Sequence, residues 1–484
     1  MKKLLFSHSY FMRFDLKQWR TGQPYAPLGT LYAAALMREH GFDVALFDTM
    51  FVEDPHEVEE PINSFNPDVF VIYDDGFNYL TKMCLTNMRE AAFEMIKIAK
   101  QKDCTVIVSS SDSTDHFEKY LNAGADFILL GEAEHTLLEL VSSIAKGCKD
   151  YFGINGISFK HEGAIVRTTR REITRDLDAF PFPAWDLVEV NKYKDVWLKH
   201  AGYFSINMAT TRGCPYKCNW CAKPIYGNRY NSRSPENVVK ELTTLKNKYG
   251  FDHVWFCDDI FGLKPGWVNK FADLANKENL SIQFKIQSRA DLLVQENYSR
   301  DLARAGCTNV WIGAESGSQK ILDAMDKGIT VSQVANATIL LKLHGIKPSF
   351  FIQFGYLGET KEDIRKTIKM ISNLLPHDIG ISVSYPLPGT KFYEKVKHEL
   401  KEKTNWTDSD ELRLLFKNTY SPGFYKKLHR HVHYEFRKQQ GMAVFTRLYK
   451  EPFALSKGDI KKAAIAILFM PRVVFGRLQL SLYA

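Results

Sequence analysis

The chain has 484 residues, 45% hydrophobic and 25% charged; this is the balance of an ordinary globular protein, and the length calls for two or three domains. The formal charge of +8 comes from 64 Lys and Arg against 56 Asp and Glu spread along the chain, and without a clustered basic face it does not indicate nucleic acid. Eight cysteines without regular pairing argue against a secreted disulfide scaffold.

Residues 1–150 alternate strand-like and helix-like stretches. The start, Met1-Lys2-Lys3-Leu4-Leu5-Phe6-Ser7, has too short an apolar run for a signal peptide and reads as a first strand. A helix over 28–40 closes at Gly41, and strands follow at 44–47 and 69–73. A long helix over 81–100 leads to a strand at 105–109. The strand at 127–130 ends in Gly131-Glu132 and precedes a helix over 134–145. Short all-apolar strands alternating with helices predict a parallel sheet covered on both faces, with ligands outside the carboxyl ends of its strands. Residues 151–200 read as a connector, stiffened by Phe180-Pro181-Phe182-Pro183.

Residues 201–395 repeat strand then helix, with strands at 205–209, 253–257, 282–287, 310–313, 349–354 and 379–383. A helix over 235–249 opens with Ser234 as N-cap and Pro235 in its first turn. Directly after the first of these strands comes Gly213-Cys214-Pro215-Tyr216-Lys217-Cys218-Asn219-Trp220-Cys221. Three thiolates at this spacing can hold three irons of a 4Fe-4S cluster and leave the fourth iron open. The alternative is zinc or reduced core cysteines, but zinc motifs pair two short Cys units and the remaining cysteines are scattered.

The cysteine run, with Trp220 before its third Cys, resembles the signature of the radical S-adenosylmethionine (radical SAM) superfamily. The resemblance implies a partial (βα)6 barrel, a cluster on Cys214, Cys218 and Cys221, and S-adenosylmethionine bound at the open iron and cleaved to a 5′-deoxyadenosyl radical. Trp311-Ile312-Gly313-Ala314-Glu315-Ser316-Gly317 looks like the family segment that contacts S-adenosylmethionine, and a basic residue occupies the place of Arg289 in related enzymes. Trp220, Arg289, Gly313, Glu315 and Ser316 are therefore the expected S-adenosylmethionine contacts. An ion pair of Arg289 with Asp291 is the plain alternative. The order and wording of residues 1–150, including Ala26-Pro27-Leu28-Gly29 and Gly131-Glu132-Ala133-Glu134, resemble the Rossmann-like cobalamin-binding domain of one branch of this superfamily. That branch includes methyltransferases and the anaerobic magnesium-protoporphyrin cyclase. Ser109, Ser110, Gly131 and Glu132 are the expected cobalamin contacts. The D-x-H-x-x-G motif that supplies a cobalt-ligating His elsewhere is absent.

Residues 396–484 read as a helical extension, and 424–441 resembles the C-terminal part of the cyclase-type proteins. Between Gly441 and Ala484 there are seven basic and two acidic residues, Glu451 and Asp459. Such a tail suits either a helix packed on the barrel or a peripheral contact with a membrane surface. His429 and His433 share a helix face, with an ordinary helix surface as the expected role. The function expected is cobalamin-dependent methylation of an unactivated carbon in a small, hydrophobic substrate, with no nucleic-acid partner. Ring closure without methyl transfer and a non-catalytic cobalamin or iron–sulfur sensor are the alternatives. A cytoplasmic location and a flavodoxin- or ferredoxin-type electron donor complete the expectation. No catalytic residue is assigned.

Overall fold

The computed structural model describes residues 2–223, 225–450 and 457–482. Its first sheet comprises β1 (Lys3–Ser7), β2 (Asp43–Phe47), β3 (Val69–Tyr73), β4 (Thr105–Ser109), β5 (Phe127–Leu129), β6 (Ile157–His161) and β7 (Ala164–Arg167), in the order β2-β1-β3-β4-β5-β6-β7. Strands β1 to β5 are parallel, while β6 and β7 add an antiparallel hairpin. Every residue of β3 is buried, as expected of a strand with helices on both faces. The chain moves to opposite sides of β1 to form β2 and β3, so the crevice outside the ends of β1 and β3 is the natural ligand edge.

Two expectations change here. The stretch 151–200 is more than a connector, because β6 and β7 pair onto β5 and extend the first sheet. The helix over 81–100 is two helices, Tyr79–Lys82 and Thr86–Gln101. Cys84 lies between them in the left-handed region, with φ 56°, which interrupts a right-handed helix. Just before the break, Lys82 reaches Asp259, in a turn of the second domain, at 2.8 Å.

The second sheet contains β8 (Ser205–Met208), β11 (His253–Phe256), β12 (Gln283–Ser288), β13 (Cys307–Glu315), β14 (Lys347–Phe354) and β15 (Asp378–Val383). All six are parallel neighbours, from β8 at one edge to β15 at the other. A two-residue ladder of β9 (Thr211–Arg212) and β10 (Asn231–Ser232) brackets the cysteine run. Side chains alternate across a strand. Phe256, Phe284 and Phe350 face the helices and are wholly buried. Trp255, Gln287, Trp311 and Phe351 take the opposite face, lining the barrel, and stay partly exposed.

The first domain flanks the open edge of the barrel. The Asn207 side chain exchanges two hydrogen bonds with the Ala26 backbone, at 3.0 and 2.8 Å. Beyond β15, the Thr86 amide donates to the Trp406 carbonyl at 2.8 Å and Arg89 donates to Asn405 at 3.0 Å. The chain following the barrel thus straps it to the first sheet. The last two helices, Pro422–Lys450 and Lys457–Leu482, pack against each other. Gly441 is required at their contact, since a Cβ there would collide with Ala466. Glu451 lies outside the described residues.

The turn after β14 carries a titratable liability. Glu359 is wholly buried, accepts one hydrogen bond from the Gly355 amide at 2.7 Å, and has no partner for its other oxygen. Burial pushes its pKa up to about 8 from 4.5. A folded-state value above the unfolded one means that the neutral acid stabilises the fold at low pH and that this contribution is lost as pH rises through about 8. Glu359→Gln is expected to raise the melting temperature above that pH and to change it little near the unfolded value. A melting shift independent of pH would overturn this account.

Candidate active site

The cysteine loop is held from beneath by Asp258, at the end of β11. Its carboxylate accepts from the Thr210 and Thr211 amides, both at 2.7 Å, and from their hydroxyls at 2.7 and 2.9 Å. Burial still pushes Asp258 up to about 6, so these bonds offset a desolvation cost. Gly213 has φ 78°, and any Cβ there would strike the Arg229 carbonyl. Asn219, between the second and third cysteines, pins the far side. Its amide side chain donates to the Ala324 carbonyl at 2.7 Å and accepts from the Tyr356 hydroxyl at 2.7 Å. Its backbone bonds Met325 and Phe392 at 3.0 and 2.9 Å. Lys223 closes the loop by donating to the Tyr216 carbonyl and to Asn228.

Cys214 is buried on this loop, while Cys218 and Cys221 are half-buried. Burial, with Asp259 nearby, pushes the Cys221 thiol up to about 12, and burial raises Cys214 as well. As free thiols they are poor nucleophiles, whereas metal ligation deprotonates such groups outright. A structural zinc site takes four donors, commonly from two paired short Cys units, and this loop carries three. A cubic cluster takes each thiolate on a separate iron, and a three-thiol loop open at Cys218 and Cys221 fits it.

Facing the loop is a cluster of charged groups from β12, β13 and the turn after them. Arg289 is buried, with its guanidinium 3.6 Å from the Tyr216 ring centre and Nη1 3.9 Å from Cys218 Sγ. Its other nitrogens fork Asp291, with both bonds at 3.0 Å. The ion pair with Asp291, the alternative given above for Arg289, is thus formed, and only Nη1 points to the cysteines. Glu315 has a left-handed backbone, φ 56°, uncommon for a residue with a side chain, and its carboxylate pairs with Lys327 at 2.7 Å. Burial opposes the Lys327 charge, but Glu315 more than offsets it and the ammonium pKa ends above its usual value. Gly313 lies against this pair: a Cβ would sit 2.7 Å from Lys327 Nζ and 2.9 Å from Glu315 Oε1 and would push the two side chains aside. Lys327 Nζ also lies 5.9 Å from the Trp220 ring centre. The Trp220 indole N–H is buried without a protein acceptor. Ser316 turns elsewhere: its hydroxyl is 3.1 Å from the Thr367 hydroxyl and accepts from the Ser318 amide at 3.2 Å.

The first sheet presents its ligand edge on the same side. Ser110 is engaged as an N-cap, exchanging hydrogen bonds with Ser113 at 2.7 and 2.9 Å, and the Ser109 carbonyl accepts from the Asp74 amide at 2.8 Å. Gly131 has φ 83° and turns the chain into Glu132. Instead of lining an open edge, Glu132 pairs with Arg212, which also holds Glu134 at 2.8 Å. All three side chains are at most 5% exposed, and Phe180 lies 4.4 Å beneath the guanidinium. Arg212 thus bolts the first sheet to the residue before Gly213-Cys214. Nearer the crevice, Asp75 Oδ2 and Ser111 Oγ are buried without protein partners.

Sequence reasoning missed Arg212, Asn219 and Lys327. Arg212 stands just before the cysteine run and Asn219 inside it, but the hydrogen-bonding partners of their side chains are 78 to 137 residues away. Lys285, on the barrel-facing side of β12, was also missed; burial pulls it down to about 8, and its ammonium lies 4.5 Å from the Trp255 ring centre. Cys257 is buried and its thiol faces the Trp255 carbonyl at 3.6 Å. His429 and His433 pack ring to ring at 4.7 Å. Burial pushes them down to about 4 and about 3, so they are neutral packing groups rather than an exposed surface.

The pattern of the radical SAM superfamily matches residues 208–371. An uncharacterised methyltransferase of Pyrococcus horikoshii is 30% identical over 388 residues, covering 78% of this chain and 80% of its own length. The anaerobic magnesium-protoporphyrin IX monomethyl ester cyclase of Rubrivivax gelatinosus is 26% identical, covering 76% of this chain and 66% of its own. Among solved structures, the cobalamin-dependent S-adenosylmethionine radical enzyme OxsB, with aqua-cobalamin and S-adenosylmethionine bound, superposes with a TM-score of 0.73 at 16% identity. The match covers 99% of this chain and 72% of that one.

Proposed function

The chain belongs to the radical SAM superfamily, and from that premise we propose that it is a cobalamin-dependent methyltransferase acting on an unactivated carbon. The observation that carries the reading is the anchored loop of three thiols, ringed by Arg289, Lys327, Glu315 and Trp220 and bolted to a Rossmann-like sheet through Arg212. When bound, the cluster supplies the electron that cleaves S-adenosylmethionine, and cobalamin supplies the methyl group. The protein's part is to orient and to keep water out. Glu315 and Lys327 together offer an acceptor and a donor to the zwitterionic methionyl end, and Nη1 of Arg289 reaches the same space. The Trp220 indole N–H adds a buried donor with no protein partner. Gly313 keeps the wall flat, and Ser316 contributes by fixing the turn against Thr367. Trp255, Trp311 and Phe351 line the barrel and suit an apolar or planar substrate.

We further propose the division 1–150, 151–200, 201–395 and 396–484 along the chain, the β6–β7 hairpin of the second segment completing the sheet of the first. Cobalamin would lie at the edge of the first sheet, where Asp75 and Ser111 hold polar atoms for its amide groups. Ser109, Ser110 and Gly131 shape that edge through backbone and caps, and Glu132 through its bolt to Arg212. A small electron-transfer protein of the flavodoxin or ferredoxin type would reduce the cluster, and the tail would give a cytoplasmic chain a peripheral membrane contact. Ring closure without methyl transfer is the second reading, favoured by the likeness to the Rubrivivax cyclase.

Anaerobic reconstitution with iron, sulfide and hydroxocobalamin tests the proposal. Corrin absorbance is expected to co-elute with the protein, and S-adenosylmethionine with a strong reductant is expected to yield 5′-deoxyadenosine. Cluster absorbance without retained corrin would overturn the cobalamin assignment and leave the radical chemistry standing. Transfer of a labelled methyl group separates methylation from ring closure.

A further inference from the structure

The last helix, Lys457–Leu482, carries an apolar stripe that nothing in the fold covers. Ile460, Ile467, Leu468, Val474, Phe475 and Leu478 are each 58–61% exposed, and their spacing places them along one helix face. At 1.5 Å per residue the stripe runs for about 27 Å. The opposite face buries Ala466 and Val473 on the penultimate helix, and Arg477 is tied to Glu435 at 3.0 Å. Single exposed apolar residues need no explanation, but a continuous stripe of this length marks an interaction surface.

Charge identifies the occupant. Lys461 and Arg472, both exposed, flank the stripe on one side, and Asp459 is the sole acid on the described helix. Beside its C-terminal turns runs a groove of about 620 Å³, floored by Ile364, Phe424 and Leu480 and edged by Lys361, Arg365 and Lys369. An apolar stripe and groove bordered by cations complement acyl chains beneath anionic headgroups. A second copy of this chain would instead bring the same cations against each other. By length and composition Gly458–Ser481 is sufficient to cross a bilayer. However, Gly476 packs against the His431 ring and Gly441 against Ala466, so the helix is held along its length parallel to its neighbour rather than projecting away.

We propose that this helix docks in the plane of an anionic membrane surface, with Leu468 and Phe475 inserted below the headgroups and Lys461 and Arg472 among them. The inference rests on the reading of the tail as a peripheral contact and adds its orientation, its contact residues and its lipid charge. Co-sedimentation of the full chain with phosphatidylcholine vesicles, with and without phosphatidylglycerol, tests it. Binding is expected to need the anionic lipid, to weaken with salt, and to fall at least about tenfold in Leu468→Asp/Phe475→Asp and in Lys461→Glu/Arg472→Glu. Since these side chains face solvent, melting temperature and cluster absorbance are expected to match the parent, which separates a failure of docking from a failure of the radical assignment. Absence of vesicle binding, or equal binding to neutral vesicles, overturns the proposal. Concentration-dependent dimers abolished by the Asp variant would assign the stripe to a second copy. Resistance to extraction at alkaline pH would mean that the helix spans the bilayer.

Discussion

Replacing Cys214, Cys218 and Cys221 by Ala is expected to yield a protein that folds but carries no cluster and forms no 5′-deoxyadenosine above the reductant background. The loop does not depend on its sulfurs for shape. Asp258 holds its entry through four hydrogen bonds, and Asn219 anchors its middle to Met325, Ala324 and Phe392. Cys218 and Cys221 are only half-buried, so removing their thiols is expected to cost about 1 kcal/mol or less each. The readouts are iron and sulfide content, the absorbance of the reconstituted protein, and deoxyadenosine by chromatography. Unchanged absorbance and product in the triple variant would remove the basis of the assignment. Collapse of the fold would instead show that the sulfurs are core residues, the alternative the sequence leaves open.

Arg212→Met is expected to be the most destabilising single substitution at the domain interface. The guanidinium is 5% exposed and serves Glu132 and Glu134, themselves 5% and 1% exposed. A buried ion pair is weak evidence of net stabilisation, but removing one partner strands the other, typically at about 3–5 kcal/mol. Here two carboxylates would be stranded side by side. Burial already raises Glu132 in the intact protein, while Arg212 pulls it back. Without the cation Glu132 would rise further. Groups with raised folded values stabilise at low pH and lose that contribution as pH climbs, so the deficit is expected to be larger in mildly alkaline than in mildly acidic buffer. Denaturant melts of the apo protein at both conditions measure it. Glu132→Gln/Glu134→Gln in the same background is expected to restore much of the loss, and Arg212→Lys part of it. A deficit indifferent to pH and unrelieved by the Gln pair would refute the bolt. Because Arg212 precedes Gly213-Cys214, the electron paramagnetic resonance line shape of the reconstituted cluster is expected to broaden in Arg212→Met, a change that simple loss of stability does not produce.

How much was legible in advance follows a physical line. Short-range rules located elements. The helix Pro235–Tyr249 begins where Ser234 caps the Asn237 amide and ends at a left-handed Gly250, signals that lie within a few residues of each other. The same local reading missed the break at Cys84, because a positive φ at a non-glycine residue has no sequence signature and is sustained by its surroundings. The β6–β7 hairpin was read as linker because its strands pair at the edge of a sheet built elsewhere; β7 is largely exposed and so lacks an apolar alternation to betray it. Site residues divide the same way. The cysteines were visible from spacing alone. Arg289 and its pairing with Asp291 are both legible, because the two residues are neighbours on one turn. Lys327 was invisible, since nothing local to it marks a partner twelve residues earlier.

By itself the amino-acid order determined the identity of the sulfur donors, the two α/β units and most of their strands, because ligand spacing and apolar periodicity are properties of adjacent residues. Only the tertiary structure decided which charges surround those sulfurs and what binds the units together. Arg212 meeting Glu132, Lys82 meeting Asp259 and Asn207 meeting Ala26 join segments separated by 80, 177 and 181 residues. Such pairs are chosen by the packing of whole sheets, where a buried charge is tolerated only if its counter-charge arrives with the fold.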